Sequence, residues 1–461
     1  MAGIVIKRMG TAALLLAALG NALLFAGLVP LWQGPDEAAH FSYIQFIAEE
    51  RAMPVYRPPY ELYRTDLPED VRQSRARLEA DALAFHPGTI QSFLHGAPPP
   101  PVSGGRRVAA DDYHNNALAY GPLYYLYGAA AYALCYGADV ETRAYAVRFA
   151  TALLIVPFAW FVYRFGRLLL RGHRKGLAFA AFVTLQPMVA HVFAIVNNDA
   201  MLITCAAGSF CFMARYFARG GVRHAVWGGV FAGAAAAAKS HGIFAVAALP
   251  LFVLARFAVT RRMPLRAAAY SLSAAVIVAG PWFAFSLNQY GSLFGVSGGA
   301  AAAGAPSAAA IAAPLFFRWP FTLFVSFFGN FGALDTPLPD RTAIALWYLH
   351  IAAFAAVAIA AAAVVARRSL RGGKGLFILC VTLVAGFDLM LALFFYGGMM
   401  DGGQGRYYFA VWPLMAAALF YALHTLLPRR LARPAMIGLA LCMALLSICA
   451  AFHVALPRYY L

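Results

Sequence analysis

The stretch RFGRLLLRGHRKGLAFAAFVTLQPMVAHVFAIVNNDAMLITCAAGSFCFMARYFARGGVR, residues 164–223, decides the fold. Two basic clusters, Arg164 to Lys175 and Arg215 to Arg223, bracket two apolar runs, and the runs meet at Asn197-Asn198-Asp199. Each run is close to the roughly 20 residues that a helix needs to cross a bilayer. A charge at the bilayer centre costs about 2.5–3.5 kcal/mol on insertion scales. The clusters therefore end the runs, and two spans joined by a polar turn follow. Basic residues collect on the cytoplasmic side of membranes, so the Asn-Asn-Asp turn is expected on the other face.

The pattern recurs along the chain, with further clusters at Lys7-Arg8, Arg256 to Arg266, Arg367 to Lys374 and Arg429 to Arg433. It predicts spans near 11–31, 145–169, 176–196, 200–217, 225–238, 242–257, 267–287, 343–366, 376–396, 407–427 and 435–456. The expected fold is an all-α polytopic membrane protein of about eleven helices, one membrane domain over 1–461, N-terminus inside and C-terminus outside. Composition excludes a soluble protein: of 461 residues 62 % are hydrophobic and 12 % charged, against roughly a quarter charged in soluble domains. The net charge of +17 lies mainly in those clusters and reads as a topology signal, which argues against a nucleic-acid partner.

Acidic residues are distributed differently. Fourteen of the nineteen fall between Trp32 and Ala144, which marks 32–144 as a large non-cytoplasmic first loop; 286–342 is expected to be the second. Ala117–Gly137 is apolar enough to span, but six tyrosines mark it as interfacial, since Tyr favours the membrane–water boundary. Phe316 to Leu334 is read the same way. The first helix is expected to be an uncleaved anchor, because its apolar run is long and no small-x-small site precedes Trp32. Pro98–Pro101 with Gly104-Gly105 reads as a loop. The six cysteines lie in apolar stretches without paired spacing, so no disulfide or zinc framework is expected.

A few polar residues on the non-cytoplasmic side are candidates for chemistry. Gly34-Pro35-Asp36-Glu37-Ala-Ala-His40 follows the first span. Two carboxylates at a helix start suit its dipole, and helix capping alone would explain them. His40, at i+4 from Asp36 and i+3 from Glu37, shares their face, so a general base or a divalent-cation site is also open. Asp199 with Asn198 is either a polar turn or a second carboxylate at the depth of Asp36. Of four lysines, Lys239 alone lies outside the cytoplasmic clusters, beside His241. It either snorkels to the surface or clamps a phosphate. Arg406, in Gly402-Gly403-Gln404-Gly405-Arg406-Tyr407-Tyr408, is either an interfacial residue in a flexible loop or a two-pronged phosphate ligand. Asp388 stands within a span, where it is protonated, paired or facing a cavity. No nucleotide-binding loop or zinc-protease motif is present.

These residues together resemble the GT-C-type glycosyltransferases, integral membrane enzymes that use polyprenyl-phosphate sugars. More distantly the chain is similar to protein O-mannosyltransferases and the lipid A aminoarabinose transferase. The resemblance runs from Trp32 to about Tyr421. It rests on Asp36-Glu37, the acidic first loop, Pro122-Leu-Tyr-Tyr125, Arg143…Arg148, Asn197-Asn-Asp199, Lys239-x-x-Gly242, Pro337-Leu-Pro-Asp340 and Gln404-Gly-Arg-Tyr407. Two departures stand out: Tyr120-Gly121-Pro122 replaces the family's His-x-Pro-Pro, and Ala238 replaces the Thr before the lysine.

The resemblance implies a multi-pass protein of the bacterial inner membrane. It implies transfer of a sugar from a polyprenyl-phosphate donor to an envelope glycan, lipid or protein acceptor on the non-cytoplasmic face. Asp36 would be the base with Glu37 adjacent, Asp199 the second carboxylate, and Lys239 and Arg406 the donor-phosphate ligands. His40, Asn198, His241, Gln404 and Tyr407 would support them. No nucleotide cofactor is implied, while a divalent cation stays open. The rival readings are a lipid-linked sugar flippase or transporter, and a subunit that only scaffolds an envelope assembly.

Overall fold

The computed structural model describes residues 2–55, 66–78, 115–293, 319–367, 372–396 and 404–460. The Pro98–Pro101 loop and the glycines at 402 and 403 lie outside them. Helix α1 (Ala2–Leu28) is followed by three short helices, α2 (Glu37–Glu50), α3 (Glu69–Arg77) and α4 (Leu123–Leu134). The bundle continues with α5 (Val140–Leu153), α6 (Ile155–Leu169), α7 (His173–Thr184), α8 (Pro187–Ala194), α9 (Asp199–Arg219) and α10 (Val222–Ala238). Next come α11 (Ile243–Thr260), α12 (Leu265–Tyr290), α13 (Trp319–Phe328), α14 (Asp340–Ala366) and α15 (Gly373–Tyr396). Helices α16 (Trp412–Leu426), α17 (Arg429–Ala450) and α18 (Leu456–Tyr460) complete it. One hairpin, Asn330–Phe331 against Thr336–Pro337, is the sheet among the described residues.

All eleven expected spans coincide with helix, but the count of eleven is not reached. Eight helical segments are long and apolar enough to cross, and nine if α7 and α8 form one bent span. The other two, α10 and α16, have 17 and 15 residues. A 15-residue helix is about 22 Å long, short of a 30 Å hydrocarbon core without thinning. Many side chains on the outer helices are apolar and uncovered, such as Ile277, Phe354 and Leu441. Such surface suits lipid and not water.

Three local devices place the polar ends of these helices. Pro187 lacks an N–H and holds Gln186 in extended backbone, so α7 stops and α8 restarts at 63° to it. The Gln186 side chain caps the new helix on the Val189 N–H at 2.5 Å. The short α8 then ends at Asn197-Asn198-Asp199, where Asn197 Oδ1 accepts from the Asp199 N–H at 2.7 Å and starts α9. Helix α10 packs against α12 through Gly229 and Gly233, and a Cβ on Gly229 would stand 2.0 Å from the Ser271 carbonyl oxygen. Such small-residue contact is how helices approach closely in membranes.

The Ala117–Gly137 segment is a 3₁₀ turn, Asn116–Ala119, followed by the 12-residue α4. At about 18 Å, α4 is too short to cross. Its inner face, including Tyr124, Tyr125 and Tyr132, is buried against α2.

Candidate active site

The turn between α1 and α2 is tied down by Glu37. Its carboxylate accepts two 2.6 Å bonds from Arg148 of α5, together with the N–H groups of Trp32 at 3.0 Å, Gly34 at 3.2 Å and Val196 at 3.0 Å. Arg148 also donates to the carbonyls of Val29 at 2.6 Å and Pro30 at 2.8 Å. Both side chains are fully buried. Burial would raise the Glu37 carboxyl, but Arg148 and the two backbone donors at Val196 and Gly34 outweigh it and hold the group below its ordinary value. This cluster fastens the end of α1, the start of α2, α5 and the α8–α9 turn at one point, and both Glu37 oxygens are engaged.

Asp36, one residue earlier, faces the other way. Its backbone is left-handed at φ 57° and ψ 16°, a conformation that Asp tolerates better than most residues and that is common at functional sites. Its side chain is 46 % exposed and lies 3.6 Å from Arg406 Nη2. Asn116 Nδ2 donates to it at 3.4 Å. Arg406 lies in the 3₁₀ turn Gly405–Ala410. That turn is pinned by the Gly405 N–H on Ser326 Oγ at 2.8 Å, with the backbone so close to α13 that a Cβ at Gly405 would stand 2.2 Å from the Phe327 nitrogen.

Asp199 completes the group. Lys239 Nζ donates to its Oδ1 at 2.7 Å, and Arg406 Nε lies 3.9 Å from its Oδ2. Lys239 ends α10, where the chain folds back through the 3₁₀ turn Ser240–Gly242; a Cβ at Gly242 would stand 2.0 Å from the Ala235 carbonyl oxygen. Asn198 Nδ2 donates to the Ala238 carbonyl at 3.3 Å, joining the two turns. Asp36, Asp199, Lys239 and Arg406 thus meet from four distant segments, two carboxylates against two cations.

Aromatic rings wall this cluster. Lys239 Nζ lies 5.0 Å from the centre of the Tyr120 ring and 5.7 Å from that of Tyr407, distances at which a ring face attracts a cation. Gly121 allows the approach, since a Cβ there would stand 2.1 Å from the Ala237 oxygen. His40 stacks on Tyr120 and Tyr125, its Nδ1 2.8 Å from the Tyr125 hydroxyl. His241 presents its edge to Tyr407 at 5.1 Å. Gln404 leads into the Arg406 turn, its Oε1 buried and without a partner among the described residues.

The electrostatics follow from these neighbours. Burial would raise Asp36, but Arg406 and Lys239 hold it below its ordinary value, so it is ionised at neutral pH. Burial lowers His40 to about 4, which leaves the imidazole neutral. Burial also pulls the Lys239 ammonium below its ordinary value against the opposing pull of Asp199. Arg406 goes the other way, the Asp199 carboxylate and its neighbours raising it despite burial. Its Nε and Nη1 are nevertheless buried without a hydrogen-bond partner among the described residues. Buried guanidinium donors left open are costly.

Sequence reasoning brought forward the residues that meet here. It passed over Tyr120, although Tyr120-Gly121-Pro122 stands out in the sequence, because ring placement over Lys239 has no local signal. It also did not foresee the Glu37–Arg148 pairing, 111 residues apart. Asp388, left open from sequence, takes a hydrogen bond from Tyr408. The described residues contain no group of three or more His, Cys, Asp or Glu that could hold a metal ion. Beside Asp36 and Asp199, Lys239 and Arg406 supply positive charge.

No curated protein sequence matches the chain. Among solved structures, ArnT from Cupriavidus metallidurans bound to undecaprenyl phosphate is similar with a TM-score of 0.50 at 13 % identity, covering 97 % of this chain and 73 % of that one. The oligosaccharyltransferase of Archaeoglobus fulgidus is similar with a TM-score of 0.48 at 14 % identity, covering 97 % and 56 %. The chain therefore spans little more than half of the archaeal enzyme's length. The likeness to ArnT shows a shared GT-C fold. A family model described as Predicted membrane protein (DUF2142) matches residues 19–415, most of the chain, and the protein is thus a multi-pass membrane protein of the DUF2142 family with a GT-C fold.

Proposed function

We propose that the protein is a membrane glycosyltransferase that moves a sugar from a polyprenyl-phosphate carrier to an envelope acceptor. In this reading the chain is one membrane domain in the inner membrane. Its N-terminus is cytoplasmic, and the 32–144 and 286–342 segments and the site are non-cytoplasmic. The observation that carries the reading is the convergence of an ionised, accessible Asp36 with a buried Arg406 whose Nε and Nη1 have no hydrogen-bond partner among the described residues. A proton acceptor thus stands beside open donors for an anion. Further support comes from ArnT, the structural relative crystallised with undecaprenyl phosphate bound.

Asp36 takes the proton of an acceptor hydroxyl as its oxygen bonds to the anomeric carbon. The bond from that carbon to the phosphate oxygen breaks, and the electron pair leaves with the lipid phosphate. Arg406 and Lys239 receive the charge gained by the phosphate, stabilisation of the kind that lowers barriers most in water-poor sites. The negative charge lost at Asp36 equals that gained at the phosphate, so the site's net charge is unchanged through the step. Asp199, locked to Lys239, positions that ammonium. Glu37 holds the turn that aims Asp36. His40, Asn198, His241, Gln404 and Tyr407 shape the walls.

The test is turnover of a polyprenyl-phosphate sugar by the protein in proteoliposomes. Asp36→Asn, nearly isosteric and tolerant of the same backbone, is expected to lower the rate by about 10²–10⁴-fold, the usual worth of a positioned base. Turnover equal to wild type in Asp36→Asn would overturn Asp36 as the base.

A further inference from the structure

A second cluster of unneutralised charge lies at the opposite end of the bundle. Helix α9 begins at Asp199 and ends at Arg219, so its far end is about 30 Å from the candidate active site. There a cavity of about 620 Å³ opens between the ends of α6, α9 and α11 and the start of α15. Arg164, Arg167, Arg171, Arg215, Arg219 and Arg256 line it, and among the described residues no acidic residue does. Among the described residues none of the six forms an ion pair with a carboxylate.

Topology alone asks for basic residues on this side, but not for their convergence on one hollow. Several are also held in place. Arg164 stacks 5.1 Å over Trp160, Arg215 5.7 Å over Phe212 and Arg256 5.6 Å over Tyr216. Arg256 is fixed further by a 2.7 Å bond to the Phe217 carbonyl. Leu168, Val259 and Leu376 give the cavity apolar walls. Its volume lies within the roughly 300–1,000 Å³ of ligand sites. Guanidinium forks suit phosphate oxygens in particular.

From this convergence we propose a second, anionic-ligand site, in which the cavity takes a phosphate group, that of an anionic membrane lipid's headgroup or of a soluble phosphate compound. The site is separate from the sugar-transfer reading and does not depend on it.

The test uses the full chain in detergent, with short-chain phosphatidylglycerol and inorganic pyrophosphate as probes. Arg164→Gln/Arg215→Gln/Arg219→Gln removes three cavity charges and leaves the structural Arg256 intact. Arg429→Gln/Arg430→Gln/Arg433→Gln removes three from a basic cluster at the start of α17. The first set is expected to weaken binding at least tenfold and the second less than twofold. Binding of phosphatidylglycerol that pyrophosphate does not displace identifies a lipid; binding of pyrophosphate alone identifies a soluble ligand. Equal loss in both sets, or loss in neither, overturns the proposal. Should the cavity variant fail to fold, phenylglyoxal labelling of wild type decides. Either probe should shield Arg164, Arg215 and Arg219 and leave Arg429 and Arg430 reactive, whereas unshielded cavity arginines overturn it.

Discussion

Asp36 and Glu37 are neighbours in sequence with opposite surroundings. Glu37 is sealed against Arg148, and Glu37→Gln would leave that guanidinium buried with a weakened partner. Breaking such a pair costs about 3–5 kcal/mol, so a sharply lower Tm and yield in detergent are expected from this variant. An unchanged Tm would contradict the clasp. His40 gives a pH prediction. The fold lowers it from 6.5 to about 4, so between those values the unfolded chain binds the extra proton. Its contribution to stability is complete above pH 6.5 and is lost as pH falls towards 4. Thermal unfolding at pH 7.5 and 4.5 should show a larger drop for wild type than for His40→Gln; equal drops would contradict it. The four charged residues were legible because each stands isolated in apolar or glycine-rich sequence. The Glu37–Arg148 bond and the Tyr120 ring were not, because both depend on packing between segments far apart in the chain.

Helix ends were the most legible elements. Basic clusters mark where Arg219, Arg261 and Arg429 end or begin helices, since charge must leave the hydrocarbon. Less legible was the α7–α8 break, although Pro187 was its signal, because one continuous apolar run reads as one straight span. Eight or nine helical segments pass as crossings by length and composition, while α10 and α16, also expected to span, are shorter. Apolar composition reports burial in lipid or protein alike, and α9, nine-tenths covered by other helices, sits at the protein extreme. Packing predicts that Gly229→Ala, which sets a methyl 2.0 Å from the Ser271 oxygen, forces α10 and α12 apart at about 1–3 kcal/mol. Gly20→Ala, with nothing within 4 Å of the added Cβ, should leave stability unchanged or slightly raised. Comparable Tm losses in both would contradict close α10–α12 packing.

For the whole molecule, the proposed transfer site and the proposed anion site lie at opposite ends of α9, about 30 Å apart. Sidedness can be read in a cysteine-free background. Leu293→Cys is expected to react with an impermeant maleimide in intact cells, and Met263→Cys only after lysis; the reverse would invert the topology. The fold class was legible from composition and charge placement. The most direct measurement of the central claim is mass spectrometry of envelope lipids and glycans in a strain lacking this protein, complemented with wild type or Asp36→Asn. The expected result is a polyprenyl-phosphate sugar that accumulates and a sugar missing from an envelope product, both corrected by wild type alone. An unchanged glycan and lipid profile in the deletion strain, or full correction by Asp36→Asn, would contradict it.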